Sequence, residues 1–195
     1  RFLSFNLEME EQISQIAGVC DYVKARNRSR KRLWLSFDEW NVWYRQRGGD
    51  GGRKRAPHLL EEVYNLEDAL LVGGFCNSLM RHADRVRIAC LAQLVNVFAP
   101  IMTNEDGFFR QTIYYPYVWA IQYARGDVLD LALESQTYEV RGKGQIPYLD
   151  VAATMDGKTY SLFILNRDLV KPHDMEIVWR EAPPERVLFS QVLTG

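Results

Sequence analysis

Cysteine is scarce in this chain of 195 residues: Cys20, Cys76 and Cys90 are the only three, and no Cys-x-x-Cys occurs. An odd count without paired spacing argues against a disulfide framework or a zinc ribbon and for a reducing, cytoplasmic setting. His58, His82 and His173 are isolated from one another and from the cysteines, so no metal centre is expected. There is no excess of one charge: 24 basic residues stand against 25 acidic ones, a net charge of -1, which leaves no global signal for nucleic acid. Long apolar runs are missing too. Leu70–Gly74 and Val97–Met102 fall far short of the roughly 20 residues that span a bilayer, so no membrane partner is expected. Neither a dinucleotide-binding glycine fingerprint nor a P-loop is present, and no cofactor is expected. No initiating Met and no apolar leader open the chain, and it stops at Gly195, so both ends read as cut points.

What is present is an ordinary globular composition, 47% apolar and 25% charged. Ile13, Ile16, Ala17, Cys20 and Val23 recur at helical spacing and predict an amphipathic helix over Glu8–Lys24. A basic stretch follows, and residues 24–55 hold eleven Lys/Arg against Asp38, Glu39 and Asp50. It is read as a solvated helix end and loop, with nucleic-acid binding as the alternative. Leu33–Phe37 reads as a strand buried on both faces, as in a parallel sheet. The Gly-rich, basic stretch Arg45–His58 is too long for a tight connection.

Asn65 then caps a second helix, with Glu67 and Asp68 in its first turn. Its apolar face runs from Leu66 through Cys76 to Val86, and the pattern continues to about Leu94, which puts Cys76 and Cys90 on one helix. Val97–Met102 reads as the next buried strand and Thr103–Gly107 as a polar turn. A short helix, Tyr114–Arg125, tolerates Pro116 in its first turn and stops at Gly126. Beyond it the pattern changes to short alternating runs: Val128–Glu134, Thr137–Arg141, Tyr148–Met155, Lys158–Asn166 and Met175–Trp179. Asp156-Gly157 signals a hairpin between two of them. The expected fold is therefore α/β over residues 1–126, followed by an all-β unit, a sandwich, over 127–195.

The chemistry concentrates in Phe37-Asp38-Glu39-Trp40-Asn41-Val42-Trp43, where a parallel strand should end. In (β/α) barrels that end carries the active site. Alternation would give Glu39, Asn41 and Trp43 one direction and Asp38, Trp40 and Val42 the other. A carboxylate beside an aromatic plane and an amide suits a sugar site. Spacing alone equally allows Glu39 to be a surface acid and the tryptophans to be core. Glu105 and Asp106, before Gly107, read as a solvated turn.

The run Leu35-Ser36-Phe37-Asp38-Glu39-Trp40-Asn41-Val42-Trp43-Tyr44 resembles the nucleophile segment of the intracellular α-L-arabinofuranosidases, glycoside hydrolase family 51. The resemblance continues through Ala56-Pro57, Tyr64–Leu70, Leu91-Ala92-Gln93-Leu94-Val95-Asn96 and Arg110–Pro116. It covers most of residues 30–126, and the β region more loosely. It implies the C-terminal part of a (β/α)8 TIM barrel joined to a jelly-roll-like β-sandwich, in a retaining exo-enzyme releasing terminal L-arabinofuranose from arabinan, arabinoxylan and arabino-oligosaccharides. A homo-oligomer is expected of the full-length protein.

By the same resemblance Glu39 is the nucleophile at the end of barrel strand seven. Trp43 lines the arabinose subsite; Asn41, on the same side by alternation, is read from the strand pattern as a further substrate-binding residue. Gln111, after strand eight, hydrogen-bonds the sugar. The family's acid/base glutamate follows an Asn at the end of strand four, upstream of the pattern seen here. Asn104-Glu105 follows strand eight and does not take that role. Two alternatives remain at this stage. One is a related retaining glycosidase with another sugar. The other is a non-catalytic carbohydrate-binding β-sandwich using Tyr138, Tyr148, Tyr160 and Trp179.

Overall fold

The computed structural model describes residues 1–44, 60–180 and 182–195. The expected Arg45–His58 stretch, with Ala56-Pro57 and His58, lies outside the described residues.

After a 3-10 turn at Phe2–Ser4, helix α1 spans Asn6–Arg26, with Met9, Ile13 and Ala17 buried. Ile16 and Val23, expected on its inner face, are each 42% exposed, and with Val19 and Tyr22 they form an uncovered apolar stripe. Strand β1 is Leu35–Trp40. It is not buried on both faces as expected: Leu35, Phe37 and Trp40 pack against the core, while Ser36, Asp38 and Glu39 are exposed.

Helix α2, Leu66–Arg81, begins where the sequence predicts. The Asn65 side chain accepts from the Glu67 and Asp68 N–H groups, and Asp68 accepts from the Asn65 N–H at 2.7 Å, closing a capping box. The helix ends at Arg81, short of the expected Leu94. Val86–Leu91 is instead strand β2, parallel to β1. Ala83, Val86 and Leu94 mimic helical spacing, but tertiary pairing with β1 overrides it. Cys76 is therefore buried in a helix and Cys90 exposed on a strand.

The expected strand Val97–Met102 forms only at its end. Strands β3, Ile101–Asn104, and β4, Gly107–Arg110, make a hairpin, so the expected polar turn shrinks to Glu105-Asp106. Helix α3 is Tyr114–Tyr123, with Gly126 three residues beyond its end at a φ of 75°.

The remaining strands are antiparallel. They are β5 (Asp127–Val128), β6 (Thr137–Val140), β7 (Gly144–Pro147), β8 (Leu149–Asp156) and β9 (Thr159–Asn166). They form a three-stranded sheet β5-β8-β9 and a pair β6-β7. The β8–β9 loop is the two residues Gly157-Lys158, with Gly157 at a φ of 59°, the positive-φ first position of a type II′ turn. Two expectations fail. Val128–Glu134 contracts to β5, and Met175–Trp179 is not a strand. Strands β4 and β7 are additions the alternation did not reveal.

The main core joins α1, α2, β1 with the segment just after it, and β2 through Met9, Ile13, Trp40, Val42, Leu71, Val72, Phe75 and Val86. Each such side chain contributes about 1.5–3 kcal/mol on full burial. Behind α2, Asn77 donates to the Asp150 carboxylate at 2.7 Å, tying the helix to β8. One parallel strand–helix–strand unit thus carries an antiparallel β region, and no closed barrel exists among the described residues.

Candidate active site

The parallel pairing brings the carboxyl ends of β1 and β2 side by side, the end at which α/β sheets bind ligands. Trp40 pairs with Leu91, and the Ala92 N–H donates to the Trp40 carbonyl at 3.1 Å. The register slips between Phe37 and Trp40. Before the slip, Leu35 and Phe37 pack against the core; after it, Trp40 and Val42 do. The slip shifts the inward phase by one residue and leaves both Asp38 and Glu39 exposed. Simple alternation had placed them on opposite sides.

Glu39 takes no hydrogen-bond partner among the described residues, whereas Asp38 accepts a short hydrogen bond from the Ser36 hydroxyl. Trp43, four residues on, is 58% exposed and is in edge-to-face contact with Phe98, with ring centroids 5.3 Å apart. An exposed carboxylate and a partly open indole therefore share the carboxyl end of one strand.

The two amides have different work. Asn41 donates through Nδ2 to the carbonyls of Ala92, at 2.9 Å, and Phe98, and its Oδ1 accepts from the Val42 N–H at 2.7 Å. Gln111 is buried. Its Nε2 donates to the Glu62 carbonyl at 3.0 Å and the Ala99 carbonyl at 2.8 Å, and its Oε1 accepts from the Tyr64 N–H at 3.0 Å. Both N–H donors of each amide are spent on the backbone. Asn41 braces the segment after β2 against the end of β1, and Gln111 braces that segment against Glu62 and Tyr64, just before α2.

The amide left on the rim is Gln93, exposed two residues past β2, with no hydrogen-bond partner among the described residues. Reading Val86–Leu91 as helix hid it. The register sets Leu91 opposite Trp40, so Gln93 follows that pair by two residues.

Below the rim the chain is tied in two places. The Tyr64 hydroxyl donates to the Val42 carbonyl at 2.8 Å. The Tyr44 hydroxyl donates to buried Asp68, and burial together with that carboxylate pushes its pKa well above the ordinary phenol value. Glu62 is pushed up by burial, partly offset by the Tyr44 N–H.

Asn104-Glu105 sits in the β3–β4 turn, where Asn104 Oδ1 accepts from the Asp106 and Gly107 N–H groups, each at 3.0 Å. No group of three metal-ligating side chains exists among the described residues. No helix among them is long and apolar enough to cross a membrane. Of the β-region aromatics, Tyr138 contacts Tyr148, Tyr148 also stacks on His173, and Tyr160 contacts Trp179; no ring contact joins Tyr138 or Tyr148 to Tyr160 or Trp179 among the described residues.

Residues 38–195 match the family described as the α-L-arabinofuranosidase C-terminal domain. The chain is 41% identical to the intracellular exo-α-(1→5)-L-arabinofuranosidase of Halalkalibacterium halodurans, over 98% of its own length and 40% of the relative's. It is 44% identical to intracellular exo-α-(1→5)-L-arabinofuranosidase 1 of Bacillus subtilis, over 85% of its length and 34% of the relative's. The structure superposes on a family 51 α-L-arabinofuranosidase from Bifidobacterium longum with a TM-score of 0.80 at 35% identity, covering 88% of this chain and 36% of that one. The chain thus spans well under half the length of these relatives. With a family match across most of its residues and this fold, it belongs to the α-L-arabinofuranosidases of glycoside hydrolase family 51 and corresponds to their C-terminal portion.

Proposed function

We propose that this chain supplies the nucleophile half of a retaining exo-α-L-arabinofuranosidase. The reading rests above all on Glu39, an exposed carboxylate without a hydrogen-bond partner among the described residues, at the carboxyl end of a parallel strand and on the same rim as Trp43. Residues 1–126 contribute strands seven and eight of a (β/α)8 barrel, as β1 and β2, and residues 127–195 an accessory β-sandwich. The substrates are terminal α-L-arabinofuranosyl groups of arabinan, arabinoxylan and arabino-oligosaccharides. The working protein is cytoplasmic, as the names of the relatives suggest, and homo-oligomeric.

In the first step a Glu39 oxygen attacks the anomeric carbon, an arabinosyl ester forms and the glycosidic bond breaks. The leaving oxygen takes a proton from a carboxylic acid upstream of this chain. In the second step that group, now a carboxylate, deprotonates water. The water displaces Glu39 and restores the original configuration. Such a pair stands about 5–5.5 Å apart. Without the acid, the rate falls by a factor of about 10²–10⁴. Trp43 packs on the apolar face of the sugar. Gln93 is the amide placed to bond a hydroxyl, while Asn41 and Gln111 hold the rim.

The uncovered apolar surface fits a missing upstream half. Among the described residues the stripe on α1, with Ile88 of β2 at 54% exposure, has no cover, and the parallel pair has unpaired edges. The test joins this chain to the upstream segment of a relative and assays a panel of aryl glycosides. Turnover confined to the α-L-arabinofuranoside is expected. Preference for another sugar would favour a related glycosidase, and binding of arabinan oligosaccharides without turnover would favour a carbohydrate-binding role.

A further inference from the structure

Phe98 lies in the turn after β2, in a conformation that bulky residues rarely adopt: its φ is 49°, in the left-handed region. It is held from both sides. Its N–H donates to the Leu60 carbonyl at 3.1 Å, and its carbonyl accepts from Asn41 Nδ2. The next two carbonyls, of Ala99 and Pro100, are taken by the Gln111 side chain and N–H, each at 2.8 Å. Asn96, also left-handed at a φ of 64°, accepts the Thr103 N–H on its side chain at 2.7 Å. This over-determined turn presents one ring, half-buried Phe98, in edge-to-face contact with Trp43 at an interplanar angle of 63°. Backbone strain held so firmly tends to gather at ligand sites.

We propose that Phe98 is a positioning residue of the sugar site: its ring, in edge-to-face contact, helps fix the plane of the Trp43 indole on which the furanose packs, and Asn41 acts through Phe98. This rests on the reading of Glu39 and Trp43 as a sugar site. Side chains occupy one of a few staggered rotamers, and the contacts around the ring decide which. An edge-to-face neighbour with centroids 5.3 Å apart selects among them, within the range that aromatic pairs favour. Asn41, though it adjoins Glu39 and Trp43 in sequence, has both donors committed to Ala92 and Phe98. Its substitution would reach the sugar by releasing Phe98.

The test is steady-state kinetics on an aryl α-L-arabinofuranoside, with this chain joined to its upstream segment. Phe98→Ala should raise KM about 3- to 10-fold, the affinity equivalent of one aromatic pair, with kcat within roughly twofold. Phe98→Leu, apolar but without a ring, should behave the same way and carries the test if the alanine variant fails to fold. Phe98→Tyr, which keeps the ring, should restore the KM, a rescue that mere apolar filling would not give. An unchanged KM in either ringless variant, or a KM in Phe98→Tyr as poor as theirs, would overturn the proposal. Glu39→Gln separates the two claims. Retained turnover there overturns the site reading and this proposal with it, while lost turnover beside an unmoved Phe98→Ala KM overturns this proposal alone.

Discussion

Asp150 and Arg167, each 4% exposed, form an ion pair sealed between the amino-terminal segment, α2 and the β8–β9 sheet. Arg167 also donates to the Leu3 carbonyl at 2.9 Å and the Pro147 carbonyl at 3.1 Å. Asp150 further accepts from Asn77 at 2.7 Å, Arg81 at 3.0 Å and Asn6 at 3.1 Å. One carboxylate thus joins the helical unit that carries the candidate site to the β region behind it.

Removing that carboxylate leaves the enclosed Arg167 guanidinium without its ion-pair partner, while Arg81 keeps Glu10. Asp150→Ala should therefore cost about 3–5 kcal/mol, read as a lower urea midpoint. Burial alone would raise the Asp150 pKa, but Arg167 and Arg81 outweigh it and hold the carboxyl below its ordinary value of 3.8. A depressed folded-state pKa gives stability that is present above the unfolded value and is lost as pH falls through the folded one. Urea titrations should show this contribution intact at neutral pH and declining below about pH 4, with the decline weaker in Asp150→Asn.

Gly126 turns the chain from α3 into β5 at a φ of 75°, and an added Cβ would lie 2.0 Å from the Met155 carbonyl oxygen. A left-handed side chain costs about 1–2 kcal/mol and forced overpacking about 1–3. Gly126→Ala should therefore destabilise by roughly 2–5 kcal/mol in thermal or urea unfolding. Gly142→Ala, with open space around its Cβ, should cost only the left-handed term.

Thiol labelling discriminates the helix and strand placements of the cysteines. Burial pushes the Cys76 thiol up to about 12, so it should resist alkylation near neutral pH until the protein unfolds. Cys90, exposed on β2, should label in the native state. Equal protection of both would contradict the strand assignment of 86–91.

Local chemistry in the sequence located much of this fold. Asn65 with Glu67 and Asp68 marks the start of α2, and Gly157 marks the β8–β9 turn, because caps and tight turns depend on residues close in sequence. The end of α2 was hidden: Ala83, Val86 and Leu94 continue its apolar rhythm, and only pairing with β1 makes Val86–Leu91 a strand. Within the site, the resemblance pointed to Glu39 and Trp43, and the structure leaves both accessible. The strand pattern suggested Asn41, and the resemblance Gln111, as sugar contacts, yet their donors go to carbonyls 51 and 57, and 12 and 49, positions away. Hydrogen bonds of that range leave no trace in spacing. The same applies to the register slip that exposes Glu39 and to the rim position of Gln93.

The central claim is that Glu39 is the nucleophile, and the most direct measurement is kcat of Glu39→Gln on an aryl α-L-arabinofuranoside, with this chain joined to its upstream segment. Loss of the attacking oxygen should lower kcat by a factor on the order of 10³ or more, with the urea midpoint unchanged because the exposed side chain has no partner among the described residues. Turnover near the unsubstituted level would contradict the account.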